Sequence, residues 1–321
     1  MSTPPAGTTK KRIFSRNDYL APLPIPTGRK PSDVLNIIWR KNEVFIDIGS
    51  YSIGSAVMVM WPMVMLFLAM AYFTRNIASG DFSQDILIAG SIITGVPALM
   101  LIQGLFRNVP LPVRFNRQRR EVCVPRDDGK YWIVPWETVT ATATEQSSVS
   151  QAGKATMGLL VIGFENPDPL AKKDNKHFSL GFNCGGGTTA MALWECMRSY
   201  MEIGPEAVED QTARFDRSKG IWATYLDDLV KAAKLRGWPL TILWEGFCGT
   251  FIFNTLLIDV LERWKLNPPP DLPYPDIIEW SKPLPPEQWA NRSSELVAAI
   301  TKRNAELAAH AITHSFRCER Q

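Results

Sequence analysis

Three potential metal ligands share one side of a predicted helix near the end of the sequence. His310, His314 and Cys318 are spaced by four residues, which aligns their side chains along a helix. Imidazole and thiolate groups are the ligands that zinc prefers. The same face also carries Leu296 and Leu307, and His314 lies near its centre. The simpler interpretation is a packed amphipathic helix, so we predict no metal site and no cofactor.

A glycine-rich loop precedes a second predicted helix. Gly185, Gly186 and Gly187 are followed by Thr188 and Thr189, and the backbone N–H groups at a helix N-terminus can hold an anion. However, no lysine follows in the G-K-[ST] pattern, and the spacing is not G-x-G-x-x-G. A flexible loop with a threonine cap explains the pattern better.

Groups for acid–base or nucleophilic catalysis are sparse. The sequence has only three histidines in 321 residues, which leaves little capacity for a general base. The motifs G-x-S-x-G, S-x-x-K and H-E-x-x-H do not occur. The five cysteines form no C-x-x-C pair, so we expect free thiols. A net charge of +3 does not indicate a nucleic-acid-binding surface. These features predict a protein that is not an enzyme.

Two long apolar stretches determine which parts of the chain can lie in a membrane and which can be soluble. Residues 51–72 and 86–106 contain no charged side chain and supply 22 and 21 residues. A bilayer core about 30 Å thick needs roughly 20 helical residues, and neither stretch has the polar face of a surface helix. The alternative is a buried hairpin in a soluble protein. We predict a transmembrane hairpin over 51–106.

Basic residues flank this hairpin on both sides and are scarce in its link. Eight Lys or Arg residues precede the first stretch, five follow the second within 14 residues, and the link 74–85 contains only Arg75. The positive-inside rule therefore predicts a multi-pass membrane protein with both termini in the cytoplasm and the link outside. The first 50 residues are polar and basic, so we expect no cleavable signal peptide.

The remaining sequence is divided by its composition and periodicity. Residues 1–34 are predicted to be disordered and 35–50 to form an amphipathic lead-in. Residues 110–204 contain six short alternating segments and then an amphipathic helix, which predicts an antiparallel sheet or partly open barrel with a C-terminal helix. Residues 205–321 are predicted to form a helical module. Its proline-rich part, 267–286, is either a strap over a domain or a polyproline ligand.

Residues 111–137 carry a resemblance to a known fold. They contain V-R-F-N-R-Q-R-R-E-V-C-V, a D-G turn and V-P-W-E, and they resemble the pleckstrin-homology-like (PH-like) domain of bacterial membrane proteins with a two-helix hairpin. Residues 159–201 match more loosely. The chain is also similar to a proteobacterial inner-membrane family often encoded near type VI secretion effector genes. The resemblance implies a membrane-anchored α+β fold with a PH-like domain, and it carries no active site.

A basic run on the first hairpin of this domain is the candidate site, formed by Arg114, Arg117, Arg119, Arg120 and Arg126. PH-like domains that bind inositol phosphates use this hairpin, so the resemblance implies a site for an anionic lipid headgroup. Electrostatic attraction to the membrane surface, worth about 1 kcal/mol per basic residue, is the simpler explanation.

A third apolar zone spans 238–264. Glu245 would cost roughly 2.5–3.5 kcal/mol at the centre of a membrane helix, and Asn254 lies on the opposite helical face. We expect two short helices broken near Gly246 to Gly249, either buried or in the membrane interface. A third span and a re-entrant loop are the alternatives.

These observations predict a non-enzymatic adaptor whose cytoplasmic domain binds a protein or anionic lipid. By resemblance, a secretion effector is the implied partner. A membrane-active toxin or pore component that uses 238–264 is the first alternative. A membrane-bound enzyme of unfamiliar chemistry is the second.

Overall fold

Ten strands form in the part of the chain that the computed structural model describes, residues 4–51, 53–75, 80–150, 153–209 and 220–318. In chain order they are β1 (Thr9–Lys11), β2 (Ser15–Ala21), β3 (Ile38–Lys41), β4 (Phe45–Ile48), β5 (Val113–Asn116), β6 (Glu121–Pro125), β7 (Tyr131–Pro135), β8 (Thr140–Ser150), β9 (Gly153–Glu165) and β10 (His177–Asn183). All pairings are antiparallel. The first sheet has the order β1-β2-β8-β9-β10, and the second has the order β3-β4-β5-β6-β7.

The helices in the same described residues are α1 (Ile53–Thr74), α2 (Gly80–Phe106), α3 (Gly187–Glu202), α4 (Gly220–Arg236), α5 (Trp238–Thr241), a π-helix (Ile242–Ile252), α6 (Thr255–Leu266), α7 (Pro275–Trp280) and α8 (Ser294–Cys318). Two compact units result, and both are discontinuous in sequence. The β-rich unit comprises Met1–Ser50, Leu111–Thr212 and Asp271–Gln321. The helical unit comprises Tyr51–Pro110 and Ala213–Pro270.

The core of the β-rich unit is built from the inward faces of its strands and from α3. Trp136 and Trp194 stack with ring centroids 5.3 Å apart, and Phe115 meets Trp136 edge to face. All three side chains are fully buried. The six predicted strands and the following helix are confirmed, and the inward side chains of β5 and β6, Phe115, Val122 and Val124, belong to this core. Gly129 supplies the positive φ of the predicted turn, +76°.

The structure corrects the interpretation of the first 50 residues. The expected disordered segment 1–34 contains β1 and β2, and β2 pairs with β8 from Ser15↔Gln146 to Ala21↔Ala141. The expected lead-in 35–50 contains β3 and β4. β1 and β2 consist largely of polar residues, and β3 and β4 are only four residues long, so local composition gives little sign of them. β2 and β4 also pair with strands far away in sequence, which makes the predicted domain boundaries, 110–204, too narrow.

The structure also corrects the single helical module expected over 205–321. Only Ala213–Pro270 belongs to the helical unit, whereas residues 205–212 and the last part, from Asp271, belong to the β-rich unit. In that last part, Leu272 and Ile277 pack against Cys123 of β6. Asn116 donates a hydrogen bond to the Trp280 carbonyl at 3.0 Å. The proline-rich residues from 271 onwards therefore lie over β5 and β6 as part of the fold.

Within the helical unit, α1 and α2 contain two stretches that are long and apolar enough to cross a membrane, Ala56–Thr74 and Phe82–Phe106. Outward-facing Leu, Ile, Met and Phe side chains cover both helices. The predicted fold class is thus confirmed at the level of an α+β protein with two apolar helices, antiparallel sheets and C-terminal helices. The third apolar zone is helical on both sides of a 64° bend between Ile252 and Thr255.

Candidate functional site

Arg114, the first of the predicted lipid-binding arginines, is buried inside the β-rich unit. Its guanidinium group makes a two-pronged ion pair with Asp47 of β4, with both N–O distances at 2.7 Å. It also contacts Asp271 at 2.7 Å and the Ser281 hydroxyl at 2.9 Å. Burial alone would raise the pKa of Asp271, but the Leu272 N–H and Arg114 hold it below its ordinary value. Arg114 therefore connects β4, β5 and the C-terminal segment.

Arg120 is also buried, and it lies at the turn between β5 and β6 with φ +54°. It pairs with Glu202 of α3 at 2.9 Å and with Glu137 at 3.1 Å. Burial alone would raise the pKa of Glu137, but hydrogen bonds from Ser293 and the charge of Arg120 hold it below its ordinary value. Glu202 additionally accepts a hydrogen bond from the Trp136 indole at 2.9 Å.

The other three arginines are half-buried and face different neighbours. Arg117 donates to the Ile203 carbonyl at 3.0 Å, and Arg119 donates to the Trp280 carbonyl at the same distance. Arg126 lies over the Trp132 ring at 4.6 Å. A headgroup contact by Arg117, Arg119 and Arg126 stays a prediction, whereas Arg114 and Arg120 are held in buried ion pairs and are not available to a headgroup. Their charges are used mainly to join the strands to α3 and to the C-terminal segment.

The glycine-rich loop likewise lacks the character of an anion site. Gly185 has a positive φ of +74°, and Gly187 is the first residue of α3. A Cβ atom placed on Gly187 would lie 2.5 Å from Glu145 Oε2. A carboxylate therefore already lies beside the first residue of α3, where the helix N-terminus favours negative charge. The loop acts as a close-packed turn between β10 and α3.

No group of three or more His, Cys, Asp or Glu side chains is arranged to hold a metal in the part of the chain that the structure describes. The side chains of His310, His314 and Cys318 lie outside the described residues, so that candidate stays a prediction. Burial raises the pKa of Cys123 to about 12 and that of Cys184 to about 11. Because the thiolate is the nucleophile and metal ligand, these thiols are inert.

The structure reveals a surface that the sequence interpretation missed, at the turn between β1 and β2. Ile13 is 90% exposed and Phe14 is 62% exposed. The turn is closed by hydrogen bonds from Arg12 N to Ser15 O at 2.7 Å and from Ser147 N to Phe14 O at 2.8 Å. It is therefore a fixed part of the sheet. A partner that fully buries an Ile or Phe side chain gains about 1.5–3 kcal/mol of binding free energy.

Basic and apolar side chains surround that turn. The strand register pairs Ser15 with Gln146 and Gln146 with Met157, which brings the half-exposed Met157 to the same end of the first sheet. We name this surface the basic-apolar tip and define it by Lys10, Lys11, Arg12, Ile13, Phe14 and Met157. In the sequence this surface corresponds to the apolar pair inside K-K-R-I-F-S-R. Because residues 1–34 were predicted to be disordered, no fixed surface was expected there.

Searches against protein-family models, curated proteins and solved structures find no match for this chain. The resemblance described above therefore rests on the motifs in residues 111–137 and 159–201.

Proposed function

We propose that this chain is a non-enzymatic adaptor of the bacterial inner membrane, and that its β-rich unit is a PH-like domain held at the cytoplasmic face. The order of elements supports the PH-like fold. Strands β4 to β7 belong to one sheet, β8 to β10 belong to the other, and α3 follows directly. In this proposal α1 and α2 form a hairpin inserted between the first two of those strands.

The observation that carries the proposal is the position of that insertion. The strands on either side of the apolar helices, β4 and β5, are hydrogen-bonded neighbours, and Ile48 pairs with Val113. Open sheet edges are not tolerated in the hydrocarbon core of a bilayer, so paired strands must lie on the same side. This supports two crossings by α1 and α2. The basic flanks support the cytoplasm as that side.

The partner that fits the basic-apolar tip best is an acidic protein. Ile13 and Phe14 provide the exposed apolar anchor, and Lys10, Lys11 and Arg12 surround it with positive charge. The adjacent strand β1 is the end strand of its sheet. An end strand offers backbone hydrogen-bonding groups that a polypeptide can use and a lipid cannot. By the resemblance to the type VI-associated family, a secretion effector is the first candidate.

Photo-crosslinking in intact cells tests this proposal. A photoreactive phenylalanine analogue is placed at Ile13 of the full-length chain, and a matched control carries it at Leu170, which is also 90% exposed. We expect a discrete protein adduct from position 13 that is absent from position 170. A triple variant, K10E/K11E/R12E, should remove the adduct because it reverses the charge of the tip.

Two results of the crosslinking experiment would contradict the proposed protein partner. Adducts to lipid alone at position 13 would show that the basic-apolar tip contacts a membrane surface and not a protein partner. Identical adduct patterns at positions 13 and 170 would show that the tip is not a binding surface.

A further inference from the structure

The bent helical segment Trp238–Leu266 combines an apolar exterior with polar groups that have partners. Glu245 pairs with Arg236 at 3.1 Å, and the hydroxyls of Thr250 and Tyr225 lie 3.0 Å apart. Large apolar side chains of the segment are about half exposed: Trp238, Leu240, Ile242, Leu243, Trp244, Phe247, Phe251, Val260 and Trp264. A helix exposed to water would instead direct its polar side chains outward and its apolar side chains inward.

The bend has a local cause. Asn254 adopts a left-handed conformation with φ +50°, and its side chain accepts a hydrogen bond from Leu257 N at 3.3 Å. It thus ends the π-helix and caps α6. The break lies at Asn254 and not near Gly246 to Gly249, which corrects the sequence interpretation. It also removes the conflict between Glu245 and Asn254, because the two residues no longer share one helix.

The segment packs against one end of the apolar helix pair. The Trp61 indole donates a hydrogen bond to the Phe251 carbonyl at 3.0 Å, and Lys265 donates to the Arg107 carbonyl at 3.1 Å. One apolar cluster contains Val57, Trp61, Leu101, Leu105, Leu257, Ile258 and Leu261. The α1 and α2 members of that cluster lie near the start of α1 and the end of α2, which are the ends that lead to β4 and β5.

Chain connectivity restricts the number of crossings. The segment belongs to Ala213–Pro270, and the chain on both sides of that stretch belongs to the β-rich unit. Because a folded sheet cannot lie in hydrocarbon, the stretch must cross the membrane an even number of times. The 12 residues of α6 are about 18 Å long. That length is short of a core about 30 Å thick, so two full crossings do not fit either.

We propose that Trp238–Leu266 is a wedge in the membrane leaflet where α1 begins and α2 ends. This inference rests on the proposed membrane anchoring by α1 and α2. Arms about 22 Å and about 18 Å long that meet at a 64° bend form a shallow V about 10 Å deep when both ends stay at the surface. That depth matches an interfacial helix. Trp238, Trp244 and Trp264 are suited to the headgroup level.

Fluorescence quenching by spin-labelled lipids measures this depth. The full-length chain, with Cys248 and Cys318 replaced by alanine, is reconstituted in phosphatidylethanolamine and phosphatidylglycerol vesicles. A fluorophore is attached at F247C in the wedge or at L66C near the middle of α1. Both native side chains are more than half exposed. The vesicles contain phosphatidylcholine with a nitroxide either near the headgroup or near the end of an acyl chain.

The two labelled positions separate the wedge from the anchor. We expect position 247 to be quenched more by the shallow nitroxide and position 66 more by the deep one. Stronger quenching of position 247 by the deep nitroxide would show a full crossing and overturn the wedge, which would favour a pore role for this zone. No quenching at 247 with deep quenching at 66 would overturn the wedge alone. No quenching at 66 would overturn the proposed anchoring itself, and the wedge with it.

Discussion

The two units use tryptophan in opposite ways. In the β-rich unit, Trp136 and Trp194 are fully buried, and Trp136 donates its indole N–H to Glu202. In the helical unit, Trp238, Trp244 and Trp264 are all more than half exposed. Charge follows the same division, because the β-rich unit buries Arg114 in ion pairs while the helical unit turns apolar side chains outward. The difference indicates that the two units are adapted to different solvents.

The largest expected effect comes from removing a buried tryptophan. Trp194→Ala should cost about 4 kcal/mol of unfolding free energy, because it leaves a cavity beside Trp136. The matched change Trp244→Ala should alter the unfolding free energy by less than about 1 kcal/mol. Chemical denaturation of the purified chain in mild detergent, followed by near-UV circular dichroism, measures both. Equal losses of unfolding free energy from the two substitutions would show that the two units do not differ in how they use tryptophan.

Arg114→Ala should be nearly as damaging. The change leaves the fully buried Asp47 with Arg40 as its remaining cation, 3.6 Å away, and breaking a buried pair costs about 3 kcal/mol. Arg117→Ala is the control, since that half-buried side chain bonds a backbone carbonyl and should cost about 1 kcal/mol. The same denaturation experiment applies. If Arg114→Ala instead weakened only lipid binding, the arginine would be a headgroup ligand as first expected.

The ion pair of Glu137 should make the stability of the β-rich unit depend on pH. Its pKa is lowered in the folded state, so its stabilisation is present above the ordinary glutamate pKa of about 4.3 and is lost as the pH falls through the lower folded pKa. Glu137→Gln should therefore cost about 1–2 kcal/mol at pH 7, and this cost should shrink progressively as the pH falls below about 4.3. Melting temperatures of both proteins across this range test the sign. A pH-independent difference would exclude the ion pair as its cause.

The smallest effect on stability is expected at the basic-apolar tip. Ile13→Ser should change the unfolding free energy by less than about 0.5 kcal/mol, because the side chain contacts mostly solvent. It should nevertheless abolish partner capture by a crosslinker at Phe14. The same substitution at Leu170 provides the control and should leave capture intact. A large loss of stability from Ile13→Ser would make the tip part of the core.

The sequence predicted the elements whose information is local. Continuous apolar runs identified α1 and α2, and period-two alternation with the Asp127-Asp128-Gly129 turn identified β5 to β7. It missed β1 to β4, because β2 pairs with a strand more than 100 residues away and β4 pairs across the whole helix pair. The arginines were misinterpreted for the same reason. Their acidic partners Asp47, Glu202 and Asp271 are distant in sequence.

The central claim is that the β-rich unit lies wholly on one side of a membrane and that only α1 and α2 cross it. One cysteine introduced at an exposed position tests this directly, namely Lys10→Cys, Arg75→Cys, Lys130→Cys or Lys282→Cys. Each variant has Cys248 and Cys318 replaced by alanine and keeps the buried Cys123, Cys184 and Cys196. A membrane-impermeant maleimide is applied to intact spheroplasts and, separately, to lysed ones. The claim predicts that only position 75 is labelled before lysis and that all four positions are labelled afterwards. Labelling of position 282 in intact spheroplasts, with positions 10 and 130 protected, would contradict it.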